Sequence, residues 1–166
     1  MFKAWGEEQY YEDFEVGDRF RTEPVSFSEE AIIAFARRWD PQRFHVDPVE
    51  AAKTMFGGII ASGWHVICET FKKAVDEGFL RKGGISSPGL DKLRWIKPVR
   101  PGDSIHLEFE VTHARRSRTR DDRGYVTLTV TAINQESETV MRFSVVEVIL
   151  TREEVRPAIE QNQEQS

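Results

Sequence analysis

One cysteine, Cys68, is all this chain of 166 residues contains, which excludes an internal disulfide and a cysteine-based metal cluster. A reducing, cytoplasmic setting is the expectation. The chain also lacks a basic balance: its formal net charge of −5 argues against general nucleic-acid affinity. No apolar run approaches the length of a membrane span, and the start Met1-Phe-Lys-Ala-Trp-Gly-Glu-Glu8 has no signal-peptide core, so no membrane partner is expected. Internal repeats and linkers are missing too. With 39% apolar and 31% charged residues, what remains is the composition of a soluble globular protein. The length suits one domain, placed at residues 1–151, with a polar, glutamine-rich tail at 152–166 expected to be poorly ordered.

Two periodicities divide that domain. Phe20 to Phe27 alternates as a first strand. Ser28 before Glu29 and Glu30 is a hydroxyl cap with acids over the positive end of a helix. Ile32, Phe35, Ala36 and Trp39 then recur at helical spacing, so residues 29–39 form a short amphipathic helix that Pro41 stops. Asp47 caps a further turn or two over 48–54, with Pro48 at its first position. From 62 to 77, Trp64, Ile67, Cys68, Phe71 and Val75 make the stripe of the longest helix, read as mostly buried and closed by Gly78. After it the period becomes two, giving strands at 90–99, 104–113, 125–134 and 140–150. The order implies an α+β domain, an antiparallel sheet wrapped around one central helix. Its open edges point to self-association as a homodimer.

The chemistry concentrates between residues 40 and 65. Asp40 and His45 stand five residues apart, at a helix exit and on a loop. Imidazole exchanges protons near neutral pH, and a carboxylate beside it can orient it or hold a water molecule. Gly63 lies where the chain enters the apolar helix, so its N–H is among the donors a helix leaves unpaired. Such a donor suits a carbonyl oxygen that gains charge. Ser62 beside it can contact substrate or cap the helix. His65 can line the pocket or pack. Neither His106 nor His113 has a metal-ligand partner at useful spacing. Cys68 is expected to be inert core. The arginines between Arg115 and Arg123 could hold phosphates, or be a solvated hairpin partly neutralised by Asp121 and Asp122.

Four segments carry a resemblance. They are Tyr11-Glu-Asp-Phe-Glu-Val-Gly-Asp18, Ala34-Phe-Ala-Arg-Arg-Trp-Asp40-Pro-Gln-Arg-Phe-His45-Val-Asp47, Phe56-Gly-Gly-Ile-Ile-Ala-Ser-Gly63-Trp-His65 and Leu93-Arg-Trp-Ile-Lys-Pro-Val-Arg-Pro-Gly-Asp103. From about Tyr10 to Thr151 the chain resembles the MaoC-like dehydratases, related to (R)-specific enoyl-CoA hydratases of the hot-dog fold. The resemblance implies a curved antiparallel sheet around the long helix, a dimer or higher oligomer, and an acyl-CoA or acyl-carrier thioester substrate. It implies that Asp40 and His45 are the catalytic pair, that the Gly63 N–H receives the thioester oxygen, and that the product is an (R)-3-hydroxyacyl thioester. No metal or other cofactor is implied. Gln42 and Ser62 depart from the Asn and His that the hydratases often carry at these positions. Thioester hydrolysis, and non-catalytic acyl-CoA binding or regulation, are the alternative activities.

Overall fold

The computed structural model describes residues 1–152, so the expectation for the tail, Arg152 aside, lies outside the described residues. Among the described residues, four α-helices lie between two groups of strands: α1 (Glu29–Trp39), α2 (Arg43–Val46), α3 (Pro48–Ala52) and α4 (Gly63–Glu77). Short strands β1 (Arg19–Arg21) and β2 (Val25–Ser26) precede them. The strands β3 (Gly84–Ser86), β4 (Leu90–Trp95), β5 (Ser104–Arg116), β6 (Arg123–Ile133) and β7 (Thr139–Leu150) follow. All strand pairings between these elements are antiparallel. β5, β6 and β7 form the centre, with β1 and β2 on the outer edge of β5, and β3 and β4 on the outer edge of β7.

The expected single strand from Phe20 to Phe27 is two strands. Pro24 has no N–H to give to a ladder, and the chain breaks there. Thr22 spans the gap: its N–H donates to the Leu107 carbonyl at 3.0 Å, and its hydroxyl accepts from Leu107 N–H at 3.0 Å. The later strands follow their alternation. Ile105, Leu107, Phe109 and Val111 on β5, and Val126, Leu128, Val130 and Ala132 on β6, point into the core. β3 was not expected, because three residues cannot display a period.

The helix ends follow their signals. Ser28 accepts from Ala31 N–H, Asp47 from Val49 and Glu50 N–H, and Gly78 closes α4 in the left-handed region at φ 115°. The burial of α4 differs from expectation. His65, Val66, Thr70 and Ala74 form its inner face. The apolar stripe faces outward instead, with Trp64 54%, Phe71 51% and Val75 44% exposed. Cys68 is on that outer face, not in the core. A stripe at helical spacing shows which side is apolar; it does not say whether the same chain covers it. No helix among the described residues is long and apolar enough to cross a membrane.

Candidate active site

Asp40 is placed by the end of α1. Its N–H still donates to Ala36 at 2.9 Å, but Pro41 forces the backbone out of the helix, to φ −153° and ψ 67°. The segment to His45 is not a loop throughout: α2 is a single helical turn, held by His45 N–H to the Gln42 carbonyl at 2.8 Å. That turn points the imidazole inward, where it is buried. Its Nδ1 lies 2.7 Å from the Ile60 carbonyl oxygen. A carbonyl only accepts, so Nδ1 carries a hydrogen, and in the neutral imidazole Nε2 keeps the lone pair. Nε2 stands 3.4 Å from Asp40 Oδ2.

The strand-like stretch before α4 is pinned on both sides: Ile60 N–H donates to the Phe44 carbonyl at 3.2 Å, and Ala61 N–H to Val99 at 2.8 Å. It delivers Gly63, the first residue of α4, to the same cavity as Asp40 and His45. As first residue of the helix, Gly63 has an N–H without an intrahelical acceptor. The cavity holds about 440 Å³, and Gln42, Trp64, Trp95 and Met141 complete its walls. Only glycine fits at 63, since a Cβ there would lie 2.2 Å from the Trp95 indole. The close approach permitted by the missing side chain is thus made by a residue that spacing did not single out.

Ser62 is fully buried behind the cavity rather than in its wall. Its hydroxyl donates to Asp40 Oδ2 at 2.7 Å and accepts from Trp64 N–H at 3.3 Å, so it caps α4 and holds the carboxylate. Gln42 Nε2 donates to Asp40 Oδ1 at 2.8 Å. Burial pushes the Asp40 pKa up, but the bonds from Ser62 and Gln42 and the nearby imidazole outweigh it, and the carboxyl sits below its ordinary value. The two departures from the hydratase pattern therefore serve the same acid. Ser62→Ala is expected to raise the Asp40 pKa, read from the carboxyl carbon shift in an NMR titration. It should also cost about 1 kcal/mol of stability through the lost cap.

The other candidates separate from the site. His65 stacks on Phe35 at 4.5 Å, and burial lowers its pKa; it packs rather than lines the cavity. His106 lies on β5 beside Glu108. In the arginine hairpin, Arg116 pairs with Glu12 at 2.8 Å, Arg123 with Asp122 at 2.6 Å, and Arg115 lies over the Tyr125 ring. Much of that run is occupied by its own fold.

Residues 13–135 match the family described as MaoC like domain. The chain belongs to that family. The MaoC-like dehydratase from Rhodospirillum rubrum superposes with a TM-score of 0.82 at 39% identity, over 87% of this chain and 98% of that one. The (R)-hydratase from A. caviae involved in PHA biosynthesis gives a TM-score of 0.65 at 29% identity, covering 81% and 96% of the two chains. The uncharacterized protein YdeM of Bacillus subtilis (strain 168) is 34% identical over 75% of this chain and 87% of its own. The α+β sheet and helix of this MaoC-like chain are a hot-dog fold.

Proposed function

We propose that this MaoC-like chain adds water to trans-2-enoyl-CoA thioesters, giving (R)-3-hydroxyacyl thioesters, and catalyses the reverse dehydration. The observation that carries the reading is the convergence of a free Nε2 lone pair, an ionised carboxylate and the leading N–H of α4 on one cavity. Two lone-pair-bearing groups 3.4 Å apart are both satisfied by one water that donates a hydrogen to each. His45 Nε2 takes one of those protons as the water oxygen bonds to C3. The C2–C3 π electrons move to C2–C1, and the thioester oxygen becomes an enolate opposite the Gly63 N–H. The imidazolium then returns its proton to C2. Water and proton reach the alkene from the same side of the cavity, and the net change is the addition of one water. Asp40 stays ionised throughout, holding the water and offsetting the imidazolium charge. No metal or other cofactor is required by these steps.

The acyl-pantetheine arm would pass the indole of Trp95, with the acyl chain directed along α4. A second copy of the chain would cover the exposed apolar face around Trp64, Trp95 and Ile96. The homodimer is therefore part of the proposal, as is a cytoplasmic place for a protein with an exposed free thiol.

The test is loss of enoyl absorbance when the protein meets crotonyl-CoA and longer enoyl-CoAs, with chiral analysis of the product. Appearance of (R)-3-hydroxyacyl-CoA is expected. Release of free thiol instead would favour hydrolysis. Stabilisation of a dimer by acyl-CoA with neither reaction would favour binding or regulation.

A further inference from the structure

A second cavity, of about 580 Å³, lies farther along the same helix and strand. The same two elements wall both. Gly63, Trp64 and Val66 of α4 face the first cavity, and Ile67, Thr70, Phe71 and Val75 face the second. On β7, Val140 and Met141 give way to Phe143, Val145 and Glu147. At 1.5 Å per helical residue, Gly63 to Val75 spans roughly 18 Å, the length over which an acyl chain reaching from the proton-handling pair would lie against both cavities.

The second cavity is mostly apolar and holds one charged side chain, Glu147, with the hydroxyls of Thr70, Ser86 and Ser87 as its other polar groups. Glu147 occupies an inward position of β7, between Val145 and Ile149, and is 5% exposed. Burial alone raises its pKa, to about 7, with no hydrogen-bond donor or cation among the described residues to oppose it. The one hydroxyl on the facing helix is already committed: Thr70 Oγ1 donates to the Val66 carbonyl at 2.6 Å. A carboxyl group is costly to bury and costlier to leave unpaired. A leucine would serve the core better at this position.

We propose that a bound acyl chain runs from Asp40 and His45 along α4 into the second cavity, and that Glu147 there selects chains carrying a hydroxyl group far from the thioester. The proposal rests on the hydratase reading for the thioester end. A hydroxyl both donates and accepts, so it pairs with the carboxylate and with the neutral acid alike. A methyl end leaves the carboxyl unpaired. A tail carboxylate would bring a second acid into an apolar wall. A tail ammonium would create a buried ion pair whose desolvation offsets much of its attraction.

The experiment pairs trans-2-enoyl-CoAs of increasing length with their terminally hydroxylated counterparts. It uses the parent protein, Glu147→Leu and Glu147→Gln, each checked by thermal melting. The ratio of kcat/KM for the hydroxylated over the plain chain should reach about tenfold or more at one length in the parent, because a site built to bond a hydroxyl rejects the analogue without it. Glu147→Leu should invert the ratio, and Glu147→Gln, which keeps a donor and an acceptor, should retain most of it. A parent ratio near one at every length, or a ratio untouched by Glu147→Leu, overturns the proposal. Calorimetric binding of saturated acyl-CoAs, plain and terminally hydroxylated, separates the two readings. A hydroxyl preference in binding without turnover sinks the hydratase and keeps the selectivity. Turnover with no preference in either assay does the reverse.

Discussion

His45→Gln lowers kcat for enoyl-CoA hydration by about 10³-fold with little change in KM, and Asp40→Asn has an effect of the same order; both are expected results. A positioned general base contributes 10²–10⁴-fold. Neither side chain is assigned contact with the acyl-pantetheine arm, so the loss should fall on kcat. Glutamine retains a donor for the Ile60 carbonyl, which accepts from Nδ1 at 2.7 Å in the parent, but it offers no basic nitrogen. Asparagine at 40 still reaches Ser62 and Gln42, yet loses the charge that stabilises an imidazolium. The double variant should be hardly worse than either single one, because the two groups act on one water. Stopped-flow absorbance at saturating crotonyl-CoA measures this. More than a tenth of the parent rate in His45→Gln, with an unchanged melting profile, would place the base elsewhere.

The second large effect concerns stability. The Glu147 pKa of about 7 in the fold stands above its ordinary 4.5. Between those values the folded chain binds more protons than the unfolded one, so stability falls as pH rises through that window. Below the ordinary value the contribution is whole; above the folded value it is gone. A gap of this size corresponds to about 3 kcal/mol at 1.36 kcal/mol per pKa unit. Glu147→Gln is neutral at every pH and should escape the loss. Its melting temperature should match the parent near pH 4.5 and exceed it by roughly 6–12 °C above pH 7, given 2–4 °C per kcal/mol for chains of this length. Parallel melting curves across that range would show that the carboxyl finds a partner in the fold.

Much of this was legible in the residues. The β5–β7 alternation, the Ser28 and Asp47 caps and the Gly78 stop are local signals, and local physics decides them. Asp40, His45 and Gly63 were readable as candidates because proton chemistry and a helix beginning need those residue types. Their convergence was not, since it depends on the Ile60 and Ala61 bonds to distant carbonyls. Ser62 was read as a cap and a possible substrate contact; its bond to Asp40 spans 22 residues of sequence. Trp95 gave no signal, being one aromatic on an edge strand. Glu147 did give one: an acid on the parity that otherwise holds Phe143, Val145 and Ile149. The outward turn of the α4 stripe was hidden because periodicity does not distinguish a face the chain's own core covers from one it leaves exposed.

The partner that fixes the imidazole is a main-chain carbonyl, not a third side chain. It belongs to Ile60, three residues before the Gly63 amide, in one continuous stretch. Three residues reach no farther than about 10 Å even when fully extended. In the proposed reaction, proton removal and charge reception therefore hang from a common tether. Breathing of the sheet or tilting of the helix carries both along together, so their spacing is inherited from covalent bonds rather than from packing.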